Sequence, residues 1–460
     1  MAERAGGRGS VMESPHSLYG DAFRQVQHTL PGSQLPWLRT LRTRAMEKFM
    51  DQGFPDTRLE EWKYTDLRGL ARHHFRAASP AARTIDVAAL QGWPLTDQAA
   101  HRLVFVDGHF VPELSPPVTA IHGVTITSLA SALASEPHTL ESWLGRNTDT
   151  AVPGFNAFNT AFMSDGACIQ LAPYIELEQP VHLLFIASGR PDTLATLRNL
   201  VIAGRGSRAT ILESYIALRD APYLTNTVTE IITGEAAGIE HYKLEQESES
   251  AYHMAGIYVR QQRDSRFTSH NVALGGKLAR NDLQVSLEGT GADCTLNGLH
   301  LTRGRQHVDN HTRIDHLSPQ ANSREWYRGV LDGRSRTVFN GRIVVHRDAQ
   351  KTTAQQGNHN LLLSEDAEAD AKPQLEIHAD DVQCAHGCTV GQLDEEAVFY
   401  LRSRALDEAT ARAFLIYAFA ADVLERIRIE PVRQYLEEQL TRRLQGQRFT
   451  GPAGNPGSDT

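Results

Sequence analysis

Only four cysteines, Cys168, Cys294, Cys384 and Cys388, occur in 460 residues. No signal peptide precedes them, so free thiols in a reducing, cytoplasmic compartment are expected rather than a disulfide framework. Long apolar runs are also missing. The longest, Ala413 to Leu424, contains Asp422 and falls short of the roughly 20 apolar residues a bilayer requires. No membrane span is expected. Positive charge is in deficit too: 46 Lys and Arg stand against 55 Asp and Glu, a net −9. With no basic run interleaved with aromatics, a general nucleic-acid binder is excluded.

Several catalytic signatures are lacking. Gly275-Gly276-Lys277 is no phosphate loop, because Asn271 stands where the first glycine belongs and Leu278 follows the lysine. The chain is therefore not expected to bind ATP. Gly204-x-Gly206 and Gly289-x-Gly291 lack the third glycine of a dinucleotide fingerprint and read as turns. No Gly-x-Ser-x-Gly elbow and no His-Glu-x-x-His occurs.

At this length the chain exceeds one compact core, and its texture changes along the way. Residues 1–15 and 447–460 are Gly-, Pro- and polar-rich and read as disordered tails. Residues 16–100 read as helical: Leu38, Leu41, Ala45 and Phe49 recur at helical spacing after Pro36, and Leu59, Trp62 and Leu70 suggest a second helix over Arg58 to Leu70. Residues 101–150 form a mixed connector, with a strand at LVFVDGHFV broken at Asp107-Gly108. From 151 to 392 short strands alternate with Gly-rich turns at an irregular period, which suits a sandwich, a barrel or a β-solenoid. Residues 393–446 return to helix, with Asp394 and Asp407 as caps and Pro431 opening a third helix.

Chemistry concentrates where the last strand meets the C-terminal helices, at Cys384-x-His386-x-Cys388. Alternate strand residues share a face, so the three side chains point the same way. Thiolate and imidazole suit iron or zinc. At about 3.3 Å per residue the two cysteines lie roughly 13 Å apart on a straight strand, too far to close on one ion. Either Gly387 bends the strand, or a second chain supplies ligands, or the triplet simply packs.

Other groupings favour structure. His307, Asp309 and His311 share a strand face and could hold a metal, but a polar row on a solvated face is the better account. Asp380 and Asp381 would face opposite sides of a strand and suit a turn. Arg402 and Arg404 meet a helix C-terminus or face a partner.

Taken together, the triplet within Cys384-x-His386-Gly387-x-Thr389-Val390-Gly391 and the following Phe399-Tyr400-Leu401-Arg402-Ser403-Arg404 resemble the SufB/SufD family of the SUF iron–sulfur cluster assembly system, on its SufD side. Glu61-Trp62-Lys63-Tyr64-Thr65, Glu240-His241-Tyr242-Lys243, Gln306-His307-x-Asp309 and Phe339-Asn340-Gly341 support the likeness, which runs from Ser17 to Leu444. Gln355-Gln356-Gly357-Asn358-His359 carries no cysteine where the SufB paralogue uses one. Two departures stand out: Cys388 occupies a position without a thiol in the family pattern, and Ala405 replaces a glycine, at a cost of about 1 kcal/mol for a left-handed helix stop.

The resemblance implies a mainly β fold, a right-handed parallel β-helix core flanked by helical N- and C-terminal regions. It implies a non-enzymatic scaffold subunit that pairs with SufB through the β-helix, or with a second copy of itself. His386, with Cys384 and Cys388 beside it, would support cluster assembly or iron delivery at that interface, and His386 and Cys384 are the candidate ligands for iron or a cluster shared with SufB. The C-terminal helices would dock the SufC ATPase through Phe399, Tyr400, Arg402, Arg404, Phe414 and Tyr417. Removing residues from Asp394 onward is then expected to leave the β-helix folded. A reduced flavin on the assembled complex also belongs to this picture. The rival is a metal-dependent carbohydrate-active enzyme on a β-helix, which would need clustered carboxylates along a groove.

Overall fold

The computed structural model describes residues 15–78, 85, 93, 101–116, 120–148 and 154–444. Residues 1–14 and 447–460 of the expected tails, and most of 79–100 in the expected helical region, lie outside the described residues. Helices α1 (Pro15–Val26) and α2 (Pro36–Gln52) come first. A hairpin of His101–Val106 and His109–Phe110 turns at Asp107 and Gly108, whose φ of 47° and 85° suit a two-residue connection. Next come α3 (Leu129–Ser135), α4 (Pro137–Glu141) and α5 (Phe155–Phe162). α6 (Glu395–Ser403), α7 (Glu408–Leu424) and α8 (Glu430–Leu444) close the chain.

The strands form two ten-stranded sheets, and from Thr193–Ala203 to Thr353–Leu362 each strand pairs in parallel with the strand two earlier and the strand two later in sequence. This is a parallel β-helix. Phe267, Cys294, Ser323, Ala354 and Cys384 occupy successive rungs of one interior column. Uneven turn lengths between those rungs explain why the repeat looks irregular in the sequence. Where the chain reverses tightly ahead of Arg208 and Arg336, Gly206 and Gly333 take φ of 65° and 69°, a region glycine enters without a Cβ penalty.

The interior is packed by one apolar cluster that runs from Leu103 and Phe105 through Ile211, Ile257 and Leu296 to Ile343. Outside one sheet, Tyr19, Phe49, Phe158 and Phe162 cover Leu194, Leu224 and Met254. Outside the other, Ile416, Ala420, Val423, Tyr435 and Leu436 cover Leu212, Leu299, Leu301 and Val330. Each such side chain is worth about 1.5–3 kcal/mol when buried. The C-terminal helices thus cover an apolar face of the β-helix, which truncation at Asp394 would uncover.

Three expectations change. Arg58 to Leu70 forms two short 3-10 turns, Glu60–Trp62 and Leu70–Arg72, instead of a helix. Asp56 and Asp66 each accept the backbone N–H two residues on, from Arg58 at 2.8 Å and Arg68 at 2.9 Å, and such turns compete with helix. Phe155–Phe162 is helical inside a region of strand-like texture, because its phenylalanines fill the gap between α2 and the sheet. On α7 the buried side is Ala411, Ile416, Ala420, Val423 and Leu424, whereas Phe414 is 56% exposed, so the apolar run Ala413 to Leu424 divides between core and surface.

Candidate functional site

The triplet lies on Gln383–Gly391, the terminal strand of its sheet, and Glu368–Ile377 is terminal in the other. Each has one hydrogen-bonded neighbour, leaving the end of the β-helix open with unpaired backbone groups. Cys384, His386 and Cys388 pair in register with Ala354, Gln356 and Asn358, all buried on the interior side. The triplet therefore faces along the interior columns and looks out of the open end. Cys384 is half-buried against the core, while His386 and Cys388 are exposed. Ile377 and Val390 add apolar surface at the same end, 43% and 46% exposed.

All four cysteines are free, with Cys168 and Cys294 buried. Desolvation pushes the thiols of Cys384 and Cys388 above the ordinary cysteine range, so a metal binding there must displace their protons. Among the described residues no group of three or more His, Cys, Asp or Glu is arranged to hold a metal ion. Gly387 lies within a continuous strand with nothing near its Cβ position, so the strand does not bend there to gather the triplet. Among the described residues the ligand set at this end is incomplete.

Behind the triplet, Gln356 Nε2 donates to Glu325 Oε2 across the register column Glu325, Gln356, His386. Burial pushes the Glu325 carboxyl up to about 7, against the hydrogen bonds from Gln356 and Thr312. Deeper in, Lys243 is fully buried with its Nζ on Glu245, 2.8 Å from His253 Nε2 and 2.8 Å from Asn281 Oδ1. Sequence reasoning noted Lys243 only as part of a motif and missed Glu325. The available signal was alternation: Ser323, Glu325, Tyr327 and Gly329 occupy the inward positions of a strand whose outward positions carry Arg324, Trp326 and Arg328.

His307, Asp309 and His311 do share a strand face, but it is covered rather than solvated. Thr65 Oγ1 lies 2.5 Å from Asp309 Oδ2 and 3.0 Å from His307 Nε2, and Arg280 donates to Asp309 Oδ2 at 2.8 Å. His311 is paired with Asp309 at 2.9 Å and Glu61 at 3.4 Å. Burial and Arg280 push the His311 imidazole down, but Asp309 and Glu61 outweigh them and hold it above its ordinary value. Glu61, Trp62 and Thr65 of one singled-out motif thus cap the polar row of another. Asp380 and Asp381 lie in the bend between the last two strands.

The candidate docking residues begin at Phe399, eight residues after the triplet's strand ends at Gly391. Phe399 and Tyr400 on α6 are 72% and 56% exposed, and Arg404 stacks over Tyr400 with its guanidinium 5.2 Å from the ring. Arg402 pairs with Glu408 at 3.4 Å, while Tyr417, on α7, is partly buried against the core. Ala405 takes φ 70°, so the left-handed stop after Arg-Ser-Arg is made with alanine. No helix among the described residues is long and apolar enough to cross a membrane.

Two family descriptions match the chain: the SUF system FeS cluster assembly SufBD core domain over residues 185–419, and the SufBD protein N-terminal region over 13–183. An iron–sulfur cluster assembly SufBD family protein of Synechocystis is 35% identical over 393 residues, covering 84% of this chain and 86% of its own. The iron–sulfur cluster assembly protein SufD of Escherichia coli is 32% identical over 409 residues, covering 87% and 92%. SufD of Bacillus subtilis is 25% identical over 425 residues, covering 89% and 94%.

Proposed function

Since this chain belongs to the SufBD family of iron–sulfur cluster assembly proteins, we propose that it serves as the SufD-type scaffold subunit of a SUF complex. Its open β-helix end meets a SufB-type partner, or a second copy of this chain, and the nascent cluster is the cargo handled there. The observation that carries this reading is the one-sided Cys384, His386, Cys388 row at an unpaired sheet end, with an incomplete ligand set. Edge strands with unpaired backbone favour strand-to-strand partnering, and a partner's side chains can complete a coordination sphere.

His386 is assigned the leading role because a neutral imidazole both ligates iron and relays protons. Cys384 is the second ligand candidate, and the exposed Cys388 contributes least. Phe399, Tyr400, Arg402, Arg404 and Phe414, with the partly buried Tyr417, are assigned to docking a SufC-type ATPase, since large aromatics beside arginines typify binding hot spots. ATP hydrolysis belongs to that partner, and a reduced flavin, where it takes part, belongs to the assembled complex. The family gives no support to a carbohydrate-active enzyme. The assignment is tested by expressing His386→Ala in a strain that depends on this pathway, with recovery of the assembled complex as control. An intact complex with impaired cluster maturation is expected; maturation at the wild-type rate would overturn the site.

A further inference from the structure

Gln356 stands between two rungs of special interest, Glu325 behind it and His386 in front, on adjacent parallel strands. Its side chain is buried, 3% exposed, and reaches so far across the interior that a Cβ on Gly341 of the opposite sheet would lie 2.3 Å from its Nε2. Gly341 ends the Phe339-Asn340-Gly341 motif, and the missing Cβ is what leaves room for the amide. Where Glu325 is ionised that amide is not free to flip: Nε2 donates to Glu325 Oε2, and only nitrogen can donate to a carboxylate. The trigonal amide carbon then puts Oε1 on the other flank of the side chain, where it is buried without a hydrogen-bond partner among the described residues. An unpaired buried carbonyl is costly, and a nearby acceptor for an imidazole N–H is what a ligating histidine ordinarily uses to fix its tautomer.

From this juxtaposition we infer that Gln356 is a positioning residue for His386. When the exposed His386 ring turns inward onto this unpartnered Oε1, the oxygen accepts one ring N–H and leaves the other ring nitrogen, with its lone pair, facing out of the open end; Glu325 holds the amide in the required orientation and Gly341 gives it space. The inference rests on the reading of His386 as the working residue, but it concerns geometry within the isolated chain. With nitrogen towards Glu325 and oxygen towards the open end, the orientation of one buried amide thus decides which imidazole nitrogen faces the partner.

The test is nitrogen NMR of the full chain with labelled histidine, at alkaline pH where the rings are neutral, with His386→Gln identifying the resonance. In the wild type one tautomer is expected to dominate. Gln356→Leu should change the tautomer ratio by about fivefold or more, the worth of one hydrogen bond. Gln356→Glu, which retains an acceptor oxygen, should preserve the wild-type preference. Should either variant fail to fold, Gly341→Ala, which crowds the amide from the opposite wall, should shift the ratio in the same sense as Gln356→Leu. An unchanged ratio in folded Gln356→Leu or Gly341→Ala would overturn the inference, whatever His386 does for cluster maturation. Conversely, a shifted ratio together with full maturation by His386→Ala would uphold the positioning and remove the functional reading.

Discussion

Thr65 and Asp309 are joined by a 2.5 Å hydrogen bond between Oγ1 and Oδ2, although 244 residues separate them. This contact fastens the N-terminal segment to the wall of the β-helix. Arg280 and His311 meet the same carboxylate, so four residues from distant parts of the chain form one buried network. Arg280 also lies over the Trp62 ring at 3.6 Å.

Removing the carboxylate takes a buried partner from both Arg280 and His311. Asp309→Ala is expected to destabilise the chain by about 3–5 kcal/mol, and Thr65→Val by about 1 kcal/mol. Because both belong to one network, the double variant should fall short of their sum. Urea unfolding of the two single variants and the double checks this, and strict additivity would show that the contact is not a network.

Much of this was legible before the structure. The Gly-turn and short-strand texture, the caps at Asp394 and Asp407, and the hairpin at Asp107-Gly108 all follow from local chemistry, and local chemistry decides them in the fold as well. What alternation could not settle was which solenoid face each column meets, because a period of two says that His307 and Asp309 share a side but not that Thr65 will cover it. Arg58 to Leu70 was misread for a related reason: its apolar residues match helical spacing, but aspartate-capped turns and the pull of Asp309 and His311 win. At the site, Cys384 and His386 stood out by type. Glu325 and Gln356 did not, since a buried glutamate in a strand looks like an exposed one until the rungs are aligned.

Glu325 makes stability depend on pH. Its folded carboxyl sits at about 7 against an ordinary 4.5, so its favourable share is complete below about 4.5 and is lost as pH rises through about 7, a difference of about 3 kcal/mol. Cys294, Tyr327, Thr312 and Gln356 face it, and desolvation holds Cys294 and Tyr327 neutral over that range. Glu325→Gln should therefore flatten the decline between pH 5 and pH 8, measured as urea midpoints. A decline identical to wild type would mean the carboxyl is ionised throughout.

Ala405 occupies a left-handed position at φ 70°. Replacing it with glycine should stabilise the chain by about 0.5–1 kcal/mol after allowing for the greater freedom of the unfolded glycine. Thermal unfolding reads this directly, and a lower melting temperature for Ala405→Gly would contradict it.

Phe399 and Phe414 are large, aromatic and mostly exposed, so Phe399→Ser and Phe414→Ser should alter stability by less than about 0.5 kcal/mol. In the same variants, binding of a purified SufC-type ATPase, followed by calorimetry, should weaken at least tenfold, as for the loss of an aromatic anchor at about 2 kcal/mol. Undiminished binding would move the docking surface elsewhere on the chain.

The central claim is that His386 acts on a cluster at the open end of the β-helix, and reconstitution tests it most directly. The complex is purified with its SufB-type and SufC-type partners, iron and sulfide are added anaerobically, and the absorption of the assembling cluster is followed for wild type and His386→Ala. The account predicts that both complexes assemble with the same composition, whereas the His386→Ala complex develops only a small part of the wild-type cluster absorption. Equal spectra at equal rates would contradict it.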